Sequence, residues 1–417
     1  MNGRRVRLAW LLLLGSFLAC LGISISIPLL VGRYIQGSTR TLTLEVQANR
    51  GTVGLLIGDN KTDALFAGEP AQSLSTNGSI LTNATDQALL LVSTPDGDQL
   101  VARAQVYGNT SVAVERATAP RFTSSSANHK LSIVLSGGRL LLSIPRLEDI
   151  PLDVEVEFPQ GFSKISEPGM YSILASNAET QLAVLQGEAE IITEQEQLTL
   201  SLDQRVVIPS DSEVIGPLDS ERNLLRNSDF GNGFEEWVVL SPNIERDDQP
   251  TVEVKIASQE GEPALSFRRL GIGHADSGLR QIVDQDVTDY DDLRLSLSMR
   301  VNEQSLGVCG EQGSECPLMV RIDYEDVNGV DQTWLQGFYA QGNTAQTTPD
   351  VCISCPPPLN EHYRIPYRQL GFYESDNLLE KLDQRGILPQ RIKSITIIAS
   401  GHTFDTEVVD IALLANE

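Results

Sequence analysis

A chain of 417 residues, 41% of them apolar, is long enough for two or three domains with well-buried cores. Its net charge is −25; five of the 31 basic residues and none of the 56 acidic ones fall in the first 40 positions, so the remainder carries −30. A field of that sign repels nucleic acid and anionic lipid headgroups and excludes both as partners of the body of the chain.

Arg4, Arg5 and Arg7 precede an unbroken apolar stretch from Leu8 to Gly32. About 25 such residues span the hydrocarbon core as a helix, and the positive-inside rule keeps residues 1–7 in the cytoplasm. Residues 8–32 are therefore predicted to be a transmembrane signal anchor. The apolar run continues through Ile23, Ile25, Ile27, Leu29, Leu30 and Val31, beyond the core of a cleaved signal peptide. Cleavage near Gly32 to Ser38, and lipidation at Cys20 after Phe17-Leu18-Ala19, stay open. All three readings place the bulk of the chain outside the cytoplasm, at the cell membrane in the anchored case.

After a short polar stem the pattern is period-two. Thr41 to Val46, Leu89 to Val92, Ser111 to Glu115, Leu131 to Leu135, Leu140 to Ile144 and Leu152 to Phe158 have strand character, with Gly, Asn, Asp and Pro turns between them. Pro209 to Arg222 carries linker signals. A second strand-rich block follows, including Thr251 to Ile256, Leu293 to Val301, Met319 to Tyr324, Ser394 to Ala399 and Glu407 to Leu414. Helical spacing recurs only at Asp376 to Arg385, ended by Gly386. The predicted fold class is all-β: two β-sandwich or jelly-roll-type domains, residues 41–210 and 223–417, joined by a linker at 211–222, behind a single N-terminal transmembrane helix.

Four of the five cysteines, Cys309, Cys316, Cys352 and Cys355, form two close pairs in the second block. In an exported chain they point first to disulfides; four thiolates on zinc are the alternative. Four histidines, His129, His274, His362 and His402, stand far apart, and no nucleophile elbow, zinc-protease motif or phosphate loop is present, so the chain is predicted not to be an enzyme.

Two segments of the first block resemble FecR-type domains: Gly78 to Asn83 with Ala88 to Val92, and Val156 to Gly161 with Glu167-Pro168-Gly169-Met170-Tyr171 and Leu182 to Ala189. Leu202-Asp203-Gln204 stands where that family closes on a Gly-Gln pair, so the match departs there. The resemblance implies a β-domain in a regulator that passes an outside signal inward. The tail of residues 1–7 is too short to fold, so a signalling role would need a membrane partner.

Asn223 to Phe230, then Gly231 to Trp237, resembles the opening of carbohydrate-binding jelly rolls with a galactose-binding-like fold, and Ile395 to Phe404 with Val408 to Leu413 resembles their close. Pairing of the first and last strands would bring Asp229 near Asp410. Two adjacent carboxylates need a cation, and the resemblance implies a structural Ca2+ there; the alternative is a turn residue and a solvated acid. For a sugar, Tyr324, Trp334, Phe338 and Tyr339 are the best aromatic set, although the same rings suit a sandwich core. The predicted function is a membrane-anchored extracytoplasmic binding protein that recognises a glycan or cell-envelope polymer through its C-terminal jelly roll. The alternatives are an envelope signal-sensing subunit of FecR type and a structural envelope protein without ligand.

Overall fold

The computed structural model describes residues 2–57, 61–147, 150–194, 196–210, 213–259, 261–307, 309, 315–341 and 362–416. The chain is mostly β, in antiparallel sheets, with one N-terminal apolar helix. That helix spans Asn2–Gly37, and Trp10, Phe17, Ile25 and Leu30 lie exposed along it. Among the described residues it is the one helix long and apolar enough to cross a membrane. Its end is tied to the following domain: Tyr34 packs on Phe122 at 5.9 Å between ring centroids, and Gln36 Oε1 accepts from the Ser126 amide at 3.0 Å.

The first sandwich is built twice from one unit. Thr43–Arg50 pairs with Gln87–Ser93, Thr52–Ile57 with Gly78–Leu81, Gln87–Ser93 with Leu100–Val106, and Gly78–Leu81 with Ser111–Pro120. The same four antiparallel pairings recur as His129–Ile144 with Gly169–Ala175, Leu152–Phe158 with Gly161–Ile165, Gly169–Ala175 with Glu179–Gln186, and Gly161–Ile165 with Ala189–Ile192. The long strand His129–Ile144 joins the copies. Its first half pairs with Ser111–Pro120 in one sheet and its second half with Leu100–Val106 in the other. The crossing falls at Gly137-Gly138. Gly138 has φ 96°, and a Cβ there would sit 2.3 Å from Thr110 Oγ1, so only glycine allows the strand to change sheets. Of the two segments that resemble FecR-type domains, Ala88 to Val92 and Gly169-Met170-Tyr171 fall on equivalent strands of the two copies, Gln87–Ser93 and Gly169–Ala175.

The second sandwich has one sheet ordered Glu253–Gln259, Glu262–Arg269, Phe404–Asn416, Asp292–Gln304, Gly371–Glu374, and a second ordered Val238–Val239, Ala275–Asp286, Pro389–Gly401, Leu318–Asp326, Asp331–Tyr339, Tyr363–Arg364. The opening Arg222–Asn223 pairs with the closing Phe404–Asn416. Between the two blocks, Ile215–Asp219 is a strand on Gln204–Pro209, so this part of the expected linker belongs to the first sandwich. The short helix Leu378–Asp383 is capped by Asn377, whose side chain accepts from the Leu379 amide.

The two sandwiches pack face to face. Strands Gln87–Ser93 and Leu100–Val106 alternate inward residues such as Leu90 and Val101 with residues that leave their own core. Leu89, Leu91 and Leu100 meet Ala264, Leu370 and Val409, while Tyr107, Leu141 and Leu185 meet Phe372, Ala412 and Leu414. Both faces of these strands are thereby buried, as the near-continuous apolar runs require.

A polar cleft at the seam

At one end of this seam lies a cleft of about 570 Å³. Its first wall is the end of strand His129–Ile144 with Arg146, the Pro168-Gly169-Met170 turn, Leu185-Gln186 and the Leu202-Asp203 turn. The second wall is the opening segment of the other sandwich, Arg222 to Asn232, with the Gly261-Glu262-Pro263 turn and Val409-Asp410. Planar polar groups thus alternate with small apolar patches at Met170, Leu185, Leu225 and Val409.

The opening segment is held rigid by its own hydrogen bonds. Asn227 adopts φ 45° and its side chain donates to the carbonyls of Gly233 at 3.0 Å and Glu235 at 2.9 Å, while its Oδ1 accepts from the Asn232 amide at 3.0 Å. Trp237 Nε1 donates to the Asn227 carbonyl at 3.0 Å, and the Trp237 ring lies 5.7 Å from the fully buried Phe230. The Ser228 carbonyl accepts from the Ile411 amide at 3.0 Å, which fixes the segment against the last strand. This is the conformational reason for the Asn-rich sequence: asparagine tolerates the left-handed region and satisfies local amides.

The floor is ionic. Arg103 projects from the first sandwich and pairs with Glu262 at 2.9 Å and with Asp410, both of the second, and donates to Ser143 Oγ at 3.1 Å. All three charged side chains are almost completely buried. Burial opposes the charge of Arg103, but the Asp410 and Glu262 carboxylates outweigh it and hold the guanidinium above the ordinary arginine range. At the rim, burial pushes the Asp203 carboxyl up, against the pull of Arg222. At the other end of the seam Arg139 pairs with Glu374 at 3.0 Å and stacks over the Tyr107 ring at 4.4 Å, and Tyr107 Oη donates to Glu374 at 2.6 Å.

Asp229 and Asp410 both line the cleft, but these residues do not fit a calcium ion. The neutralising cation is Arg103, whose guanidinium occupies the Asp410 carboxylate and also takes Glu262. Asp229 faces outward, where its carboxylate accepts from the Gly231 amide at 3.1 Å and from Gln186 Nε2 across the seam at 3.4 Å. A guanidinium among the carboxylates removes the charge deficit that a metal would fill and repels a second cation.

The four aromatic residues do not form a surface. Tyr324, Trp334 and Phe338 are at most 1% exposed and lie in the core of the second sandwich, and Tyr339 is buried beside the disulfide. No face of the three core rings is open to a ligand. Cys309 and Cys316 are joined as a disulfide; Cys352 and Cys355 lie outside the described residues. Apart from Asp229 and Asp410, the cleft residues escaped sequence reasoning because they come from both blocks. One signal was present: Arg103 interrupts the apolar strand Leu100–Val106, and a cation placed so needs a buried partner.

No family profile matches the chain, and no curated protein does. Among solved structures it is similar to a protein from Parabacteroides distasonis provisionally classed as an anti-sigma factor, at 14% identity over 39% of this chain and 67% of that one, TM-score 0.26. It is also similar to the family 11 carbohydrate-binding module of cellulase Lic26A-Cel5E of Clostridium thermocellum, at 16% identity over 47% of this chain and 95% of that one, TM-score 0.27. A third is the C-terminal family 22 carbohydrate-binding module of Xyn10B from the same organism, at 12% identity over 45% and 91%, TM-score 0.24. Likenesses at this level say nothing about a ligand.

Proposed function

We propose that this chain is a membrane-anchored, extracytoplasmic binding protein that takes a segment of glycan or other cell-envelope polymer in the cleft between its two sandwiches. The observation that supports this is the cleft itself: about 570 Å³, within the range of ligand sites, lined by planar amides and guanidinium groups around small apolar patches. Hydroxyl groups both donate and accept, and Arg146, Gln186, Arg222 and Asn232 offer such partners from both walls. The wall is organised in advance by the Asn227 network, so little ordering is needed on binding. The apolar helix Asn2–Gly37, with its arginine-bearing start, supports the anchor.

The test is calorimetric titration of the full chain in detergent micelles with a panel of soluble glycans. Saturable binding is expected for at least one, weakened by Arg146→Ala and by Asn232→Ala by roughly 1–2 kcal/mol each, about five- to thirtyfold in Kd, with an unchanged melting temperature. A second reading, a rigid spacer without ligand, is favoured by the extensive seam between the sandwiches. A flat titration against every glycan by a well-folded chain would select it.

A further inference from the structure

The disulfide Cys309–Cys316 does not stand alone. His362 lies against it, with Nδ1 3.0 Å from each sulfur. All three side chains are buried, and their potential ligand atoms lie within 4.8 Å of one another. Met319 and Tyr339 pack with the cysteines and close the pocket with apolar surface. Sulfur in a disulfide is a weak hydrogen-bond acceptor, whereas two thiolates and an imidazole nitrogen are strong ligands for a soft cation.

The backbone makes room for that ring. Tyr363–Arg364 runs parallel to Asp331–Tyr339 with Tyr363 opposite Phe338, which sets His362 beside Gly337. A Cβ on Gly337 would come within 2.1 Å of His362 Nδ1 and 2.9 Å of Cys316 Sγ. Glycine is what lets the imidazole approach the strand backbone and present Nδ1 to both sulfurs.

We propose that Cys309, Cys316 and His362 form a binding site for a thiophilic divalent cation, with Zn2+ the fitting example, that is open when the cysteines are reduced and closed when they are joined. Two thiolates and one imidazole are a tetrahedral zinc set lacking one ligand, with Zn–S near about 2.3 Å and Zn–N near about 2.0 Å. Loading releases the two thiol protons, so affinity rises with pH. Closure transfers two electrons from the two cysteine thiolates to an external disulfide, whose S–S bond breaks and which leaves as two thiols after taking two protons from water, while the Sγ–Sγ bond forms and the cation departs. In an exported chain the redox state of the surroundings then decides which form is held.

The experiment uses the full chain refolded in tris(2-carboxyethyl)phosphine, with free thiols counted by mass after alkylation, and titrated with Co2+ as a spectroscopic probe. A thiolate-to-cobalt charge-transfer band with tetrahedral d–d bands is expected in the reduced chain and absent from the oxidised one. Zn2+ should bleach it. The band should vanish in Cys309→Ser/Cys316→Ser. His362→Ala and Gly337→Ala, which keep both cysteines, should weaken Co2+ binding about tenfold or more. Absence of the band when both thiols are counted free overturns the proposal. So does a band of undiminished strength in the double serine variant, or unchanged affinity in His362→Ala.

Discussion

The first sandwich fills its interior mainly with aliphatic side chains such as Leu44, Val53, Ile80 and Ile191, and repeats one strand unit, whereas the second fills its own with Phe230, Trp237, Phe267, Trp334, Phe338 and Phe404 among its aliphatic residues. The aromatic residues of the second are spent on volume, filling the space between its two sheets. The consequence is that chemistry accumulates where the two meet. Arg103 from one and Glu262 and Asp410 from the other form a group that neither sandwich holds by itself.

That comparison can be strained most severely at Arg103. Arg103→Met removes the cation that neutralises two buried carboxylates, and a loss of about 3–5 kcal/mol is expected in chemical denaturation. Arg139→Met should cost less, about 1–3 kcal/mol, because Arg294 at 3.5 Å also serves Glu374 and the site is more open. Equal losses would contradict the distinction between the two ends of the seam.

The aromatic core is tested by Trp334→Ala. A loss of about 3–5 kcal/mol is expected, with any ligand affinity retained in the fraction that folds, since the ring lies inside and away from the cleft. A stable variant that lost binding would show that the ring acts at a surface.

The smallest effect concerns Glu221, whose Oε2 is buried without a hydrogen-bond partner. Burial is the main cause that raises its carboxyl above the ordinary value of 4.5, against the pull of Arg139. A carboxyl raised in the folded state holds its proton more tightly there, so the cost is absent below the unfolded pKa near 4.5 and grows as pH rises through the folded value. Glu221→Gln should therefore stabilise at pH 7, by at most about 1 kcal/mol, and the gain should disappear near pH 4. Melting curves at the two pH values decide it.

The alternating strands made the all-β fold legible, because period-two patterning with dense turns has few other solutions. The doubling of the first sandwich was not legible, because its two copies share a pairing pattern and no common run of residues. Other features were hidden by their geometry. The runs Leu89 to Val92 and Ile411 to Leu414 are apolar at consecutive positions, the pattern of strands buried on both faces, and both lie in the seam. Asp229 and Asp410 line one cleft where the opening segment meets the closing strand. The cation between the acids came from a strand more than a hundred residues earlier, where only the isolated charge of Arg103 hinted at it. The ring set Tyr324, Trp334 and Phe338 misled because alternation puts residues on one face without saying whether that face looks in or out.

The most direct measurement is amide hydrogen exchange of the full chain with and without the best glycan from the panel. Protection is expected on both walls of the cleft together, at residues 168–170 and 185–186 of the first sandwich and 226–232 of the second. Protection confined to the second sandwich away from the seam, or none at saturating glycan, would contradict a binding site shared between the two.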